Sequence, residues 1–318
     1  MKKEIKHITI FGSGLMGCGI AQIFAADSSL KVTVYALSMA EADVAGHLRS
    51  NLKPFIDKGI YTPDQAEVII GNVHVTEDRR EAMAQADLII ECVFEDMALK
   101  QSIFEEFEAN CRPDTILASN TSVMSISAIG ERVTGKDRVV GTHFWNPPYL
   151  IPLVEVVKTA ETSEATMEAT MDLLKKAGKH PIYVKKDVPG FVANRLQHAL
   201  WREAISIVEN GIADAATVDE AIKHGPGLRL PVLAPMENAD MVGLDLTFAI
   251  HDYILKDLED SHAPSPLLME KIAAGELGFK SGKGFQEWTP ETISASRKRL
   301  SEYLIDVLAA KENGLQAD

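Results

Sequence analysis

The chain has 318 residues, 46% apolar and 25% charged, enough for about two globular domains with a core of their own. Its 32 basic and 46 acidic residues leave a net charge of -14, a field that repels polyanions and excludes a general nucleic-acid or anionic-membrane binder. Three scattered cysteines (Cys18, Cys92 and Cys111) exclude a disulfide framework and a Cys-rich zinc site.

Residues 7–11 (HITIF) form a short β-branched run ending in Gly12-Ser13-Gly14-Leu15-Met16-Gly17. Residues 18–26 read as a helix and residues 31–35 (KVTVY) as a second strand. Strand, tight turn, helix and strand together turn the GxGxxG spacing into a dinucleotide signature. Gly12 permits the sharp turn, Gly14 lets backbone approach a pyrophosphate, and Gly17 lets helix and strand pack closely. The helix N-terminus then offers unpaired N–H groups to the phosphates. Gly12, Gly14, Leu15, Met16 and Gly17 are therefore expected to bind the cofactor. The second strand of such a unit commonly ends in an acid that binds the ribose hydroxyls, but Ala36 stands there. Its loss leaves NADP open, yet residues 37–42 hold no Arg or Lys to pair with a 2′-phosphate. The expectation is NAD, with Ser38 as a substitute donor.

Residues 41–57 and 62–70 read as a helical hairpin. It carries Arg49 and Lys53 at i,i+4 spacing, followed by Lys58. This basic strip reads either as a phosphate-binding surface or as a solvated helix face. Residues 86–92, 114–119, 138–142, 154–157 and 181–184 are short apolar runs suited to a sheet buried on both faces, with a helix at 99–111 between them. After residues 185–190 (KKDVPG) helices take over, at 191–210, 217–223, 244–259 and 290–311. The expected architecture is an α/β Rossmann-type doubly wound sheet over residues 1–187, followed by an all-α C-terminal domain over residues 188–318. No 18-residue apolar run and no signal-peptide pattern occurs, so a cytoplasmic protein is expected.

Three mid-chain motifs follow in order: Ala118-Ser119-Asn120-Thr121-Ser122, His143-Phe144-Trp145-Asn146-Pro147 and Pro189-Gly190-Phe191-Val192-Ala193-Asn194-Arg195. With the glycine turn and the closing residues 277–285 (LGFKSGKGF), they make the chain resemble the L-3-hydroxyacyl-CoA dehydrogenase family over nearly its whole length. The resemblance implies NAD-dependent oxidation of a 3-hydroxyl in fatty acid metabolism, and a homodimer formed through the helical domain. It makes His143 the general base, a role suited to an imidazole whose pKa lies near working pH. Glu155 becomes the acid that fixes the tautomer, while Ser122 and Asn194 hold the substrate oxygen. Glu95, Asn120 and Asn146 fall at cofactor positions, and Lys58 where the family contacts CoA, with Asn51 replacing a serine. The other histidines lack paired metal-ligand spacing, so no metal is expected. Trp145 reads as packing. His198, one helical turn beyond Asn194, reads either as bordering the substrate pocket or as a half-buried helix histidine.

The carrier of the substrate stays open. Residues 146–153 (NPPYLIPL) look more like relatives that oxidise free 3-hydroxy acids, such as L-gulonate (the lambda-crystallin type) or carnitine, whereas GFKSGKGF leans toward acyl-CoA enzymes. The acyl-CoA substrate is the first expectation and the free acid the alternative. A non-catalytic, crystallin-like NAD-binding role is the alternative from another class, with Ala36 its one supporting feature.

Overall fold

In the computed structural model, which describes residues 4–312, the β-branched runs become an eight-stranded sheet in the order β3-β2-β1-β4-β5-β6-β7-β8. In chain order the elements are β1 (His7–Phe11), α1 (Leu15–Ala25), β2 (Lys31–Tyr35), α2 (Val44–Asp57), α3 (Pro63–Gly71), β3 (Val73–Thr76), α4 (Arg79–Ala84), β4 (Leu88–Glu91), α5 (Met97–Asn110), β5 (Ile116–Ser119), α6 (Ile126–Ile129), β6 (Val139–Phe144), β7 (Leu153–Val157), α7 (Glu164–Lys176) and β8 (His180–Val184). Successive strand residues face opposite sides. Ile8, Ile10, Val32, Val34, Leu88 and Ile90 pack toward α1 on one face, while Phe11, Ile89 and Leu117 pack with Phe104 and Phe107 of α5 on the other. This two-sided burial explains the unbroken apolar runs.

The strand order reverses between β1 and β4, the switch point where ligands of open α/β sheets bind. The doubly wound sheet is as expected, with one difference. Strand β7 pairs antiparallel with β6, because residues 145–152 are too short for the helical crossover that a parallel pair needs. Helix α1 also begins three residues earlier than expected, directly after Gly14. Strand β3 and helix α7 escaped the sequence reading. β3 is a four-residue edge strand with only its last residue buried, and the buried face of α7 mixes Thr166 and Thr170 with Met167, Leu173 and Leu174, which blurs its apolar stripe although Ser163 caps it.

The remaining helices are α8 (Ala193–Glu209), α9 (Ala215–His224), α10 (Pro226–Arg229), α11 (Pro235–Val242), α12 (Leu244–Ile254), α13 (Pro266–Ala273) and α14 (Pro290–Glu312). Helix α12 stops short of residue 259, where Glu259 N donates instead to Glu203 of α8 (2.8 Å). The chain divides into a first unit, running to Asn194 and resuming at Arg299, and a second unit, Arg195–Lys298. The break thus falls after residue 187. Phe191 is buried in the first unit's core, Asn194 bonds to Ser122 O, and Ile305 packs with Phe55 and Leu150. No helix among the described residues is long and apolar enough to cross a membrane.

Candidate active site

The glycine turn joins β1 to α1 at the switch point. Gly12 has φ 133°, and a Cβ there would lie 2.7 Å from Cys92 O. A Cβ on Gly17 would lie 1.9 Å from Gly12 O. Both glycines are therefore demanded by the fold itself. Gly14 is different: a Cβ there would meet nothing within 4 Å, so its small size leaves room for something other than protein. No side chain caps α1 and no acid sits in its first turn. The N–H groups at Leu15, Met16 and Gly17 therefore face this space with their partial positive charge. An open cradle at a helix N-terminus fits a pyrophosphate.

At the C-terminal ends of the next strands lies a buried polar network. Glu91, closing β4, is wholly buried and accepts from Lys100 Nζ (2.6 Å) and Ser119 Oγ (2.7 Å). The same ammonium lies 3.3 Å from Glu95. Glu95 in turn accepts from Ser122 N (2.8 Å) and Thr121 Oγ1 (2.9 Å). Asn120 Oδ1 accepts from Phe144 N (2.9 Å), which ties the end of β5 to the residue after His143. Lys100 and Glu91 were missed as site residues. The available signal was a lysine on the apolar face of α5, in helical register with Ile103, Phe104 and Phe107. A buried ammonium needs such carboxylates to stay charged.

His143 and Glu155 are cross-strand partners on β6 and β7. His143 Nδ1 lies 2.8 Å from Glu155 Oε2; an ionised carboxylate only accepts, so Nδ1 carries the proton and Nε2 is left basic. Trp145 Nε1 donates to the same oxygen at 3.3 Å, so this indole does more than pack. Glu155 Oε1 accepts from Val192 N (2.9 Å) and Ala193 N (3.0 Å). Burial opposes the charge on Glu155, but the bonds from His143, the two backbone N–H groups and the indole outweigh it and hold the carboxyl below its usual range. Gly190 and Phe191 both take positive φ, 75° and 50°, and this turn aims those two N–H groups at Glu155. For a buried aromatic the conformation costs about 1–3 kcal/mol, and it is held beside the His143 ring at 5.8 Å. One residue on, Asn194 Nδ2 donates to Ser122 O (2.8 Å).

His143, Glu155, Asn194, Ser122, Glu95 and Asn120 are thereby joined through short polar contacts at one edge of the sheet. Asn146 follows on the loop after β6, in a cis peptide bond with Pro147. Lys58 is placed differently. It pairs with Asp306, not with any of these residues. His198 is exposed, not half-buried, and lies edge-on to Trp201 at 5.1 Å.

A glycine cradle at the switch point and a buried imidazole–carboxylate pair at the strand ends define a Rossmann-type dinucleotide-binding enzyme. The chain matches the description "3-hydroxyacyl-CoA dehydrogenase, NAD binding domain" over residues 7–188 and "3-hydroxyacyl-CoA dehydrogenase, C-terminal domain" over residues 190–288. It is 35% identical to 5-formyl-3-hydroxy-2-methylpyridine 4-carboxylate 5-dehydrogenase of Mesorhizobium japonicum, covering 95% of this chain and 97% of that one. It is also 35% identical to the mitochondrial hydroxyacyl-coenzyme A dehydrogenase of Homo sapiens, covering 89% and 91%. A crystal structure of the former kind of enzyme, described as an NAD+-dependent dismutase, matches with a TM-score of 0.88 and 34% identity over 97% of this chain and 99% of that one. The chain belongs to the 3-hydroxyacyl-CoA dehydrogenase family and is an NAD-binding oxidoreductase.

Proposed function

We propose that the protein oxidises the hydroxyl of a small free carboxylic acid, reversibly, with His143 as the general base and Glu155 as its orienting acid. The observation that carries the chemistry is the 2.8 Å contact between His143 Nδ1 and Glu155. Bound NAD supplies the hydride acceptor at its nicotinamide. The chain's own residues move the proton: Nε2 of His143 takes it from the alcohol, and the anionic Glu155 stabilises the resulting imidazolium. Ser122 and Asn194 orient the substrate oxygen, while Leu15, Met16, Gly17, Glu95, Asn120 and Asn146 surround the dinucleotide.

The hairpin supports a free acid over a CoA thioester. Arg49 is paired with Glu67 (3.1 Å), Lys53 with Asp57 (2.9 Å) and Lys58 with Asp306. Each cation has its own carboxylate, so the strip carries no net positive charge to draw in the phosphates of CoA. The longer match with the Mesorhizobium enzyme, named for a pyridine carboxylate not joined to CoA, points the same way. The acyl-CoA reading keeps the closing GFKSGKGF residues and identities of 35% and 39% to the human hydroxyacyl-coenzyme A dehydrogenase and a probable 3-hydroxybutyryl-CoA dehydrogenase of Bacillus subtilis. The intact His143–Glu155 pair speaks for catalysis over a purely structural role.

The test is NADH formation or consumption with carnitine, gulonate, 3-hydroxybutyrate and a formyl or hydroxymethyl pyridine carboxylate, beside acetoacetyl-CoA. A kcat/KM for one free acid above that for acetoacetyl-CoA is expected. Acetoacetyl-CoA as the preferred substrate by 10-fold or more, about 1.4 kcal/mol, overturns the free-acid reading and leaves the proton chemistry standing.

The second unit bears on assembly. Helices α9, α11, α12 and α13 contain no buried residue, and Val232, Phe248 and Tyr253 are among the many large apolar side chains left exposed. So much apolar surface needs a partner. A second copy of the chain fits best, because closed two-fold pairing is the commonest way to cover such a face. Light scattering at micromolar concentration is expected to give twice the chain mass; a monomer would overturn this.

A further inference from the structure

Ala36 leaves β2 without the terminal carboxylate that a dinucleotide site ordinarily uses at the ribose. The neighbouring strand offers another. β2 and β3 pair in parallel with Tyr35 opposite Thr76, and the ladder runs one bond further, from Ala36 N to Thr76 O (2.9 Å). Ala36 and Glu77 therefore leave their strands at the same level, on the C-terminal edge where ligands of such sheets bind. From there the Glu77 carboxylate turns over the loop that follows β2, where Oε2 accepts from Met39 N (3.1 Å). We propose that Glu77 determines cofactor specificity, its carboxylate standing in for the acid that β2 lacks and rejecting the 2′-phosphate of NADP.

The chemistry is that of a positioned acceptor with a negative charge. Oε2 is held by the loop backbone, and Oε1 is left to accept from a ribose hydroxyl, which a 2′-phosphate cannot offer. The phosphate would instead meet a like charge. The surroundings add to this: Glu41 and Asp43 follow on the same loop, and no Arg or Lys occurs between Ala36 and Leu48, where His47 is the one titratable base. Of the cations that follow Glu77, Arg79 is engaged by Tyr35 and Glu106. Arg80 stands exposed on α4, one cation against three carboxylates.

The proposal rests on the glycine turn holding the dinucleotide, and its test separates the two. Glu77→Gln keeps an oxygen for Met39 N and removes only the charge; Glu77→Lys reverses it. kcat/KM and Kd are measured for NAD and NADP in both variants, in wild type and in Gly14→Ala. Wild type is expected to prefer NAD. Glu77→Gln is expected to raise kcat/KM for NADP about 10-fold and to lower that for NAD, and Glu77→Lys to go further in the same direction. An unchanged NAD/NADP ratio, or an equal loss with both cofactors as expected of a mere loop tether, overturns the proposal, as does a wild type that prefers NADP. If instead Gly14→Ala binds NAD as wild type does, the glycine-turn reading is the one that fails.

Discussion

His143 and Glu155 stand directly opposite each other on antiparallel β6 and β7, with the imidazole Nδ1 2.8 Å from the carboxylate. The eleven residues between them in sequence are closed by a short loop, so the ladder that pairs the strands also sets the distance between the proposed base and its acid. This coupling makes the pair a product of backbone register, and it governs the first two predictions.

Replacing His143 by Ala removes the proposed base but leaves the glycine cradle intact. kcat is expected to fall about 10²–10⁴-fold, the range for a lost general base, with NAD affinity within a factor of about three. Steady-state kinetics together with NADH fluorescence titration checks both halves. Near-wild-type turnover would refute the assignment.

Glu155→Gln is expected to lower kcat by a similar about 10²–10⁴-fold, because an amide cannot hold the imidazolium and can impose the wrong tautomer. It also gives a stability signature. The folded carboxyl sits below its usual range, so in acid the unfolded chain binds more protons than the folded one. The stability Glu155 contributes is thus fully present above the ordinary carboxylate pKa and is lost as the pH falls through the folded value. Denaturation between pH 6 and 3 should show a wild-type advantage that shrinks toward acid; a constant difference would contradict it.

The two glycines of the turn should separate fold from function. Gly17→Ala drives a Cβ into the carbonyl of Gly12, 1.9 Å away, and is expected to cost at least about 1–3 kcal/mol through forced backbone shifts. Gly14→Ala meets no protein atom within 4 Å and should keep the wild-type Tm while weakening NAD binding about 10-fold or more. Thermal melts with and without NAD distinguish them.

Lys179 gives a prediction of the same pH sense at the alkaline end. Its ammonium donates to Pro148 O (2.6 Å) and Ile151 O (2.9 Å), on the loop joining β6 to β7, and burial pushes its pKa down to about 8. The unfolded lysine, with an ordinary pKa near 10.4, keeps its proton over the interval in which the folded one has lost it. Between those values wild-type stability should rise with pH relative to Lys179→Met, by at most about 1.4 kcal/mol per unit. Guanidinium unfolding at pH 7.5, 9 and 10 measures the difference. A flat difference would mean that Lys179 titrates as in water.

Much of the first unit was legible in the linear pattern. The β-branched runs and the spacing of Gly12, Gly14 and Gly17 reflect local constraints, since sterics and strand burial act within a few residues. β3 and α7 were not legible. An edge strand with one buried residue and a helix with a blurred apolar stripe owe their existence to the neighbours they pack against. Only the family resemblance implies a substrate contact for Lys58, and its pairing with Asp306 joins residues 248 positions apart, a contact no local signal encodes.

By itself the sequence determined the glycine turn and the alternation of strands and helices, because these depend on backbone sterics and periodic burial. Only the tertiary structure decided that β7 runs back against β6, that Lys100 is buried between Glu91 and Glu95, and that Glu77, just beyond β3, reaches the loop after β2. The reason is physical: strand pairing and charge burial are settled by which distant segments share one low-dielectric interior, and that is a property of the packed chain.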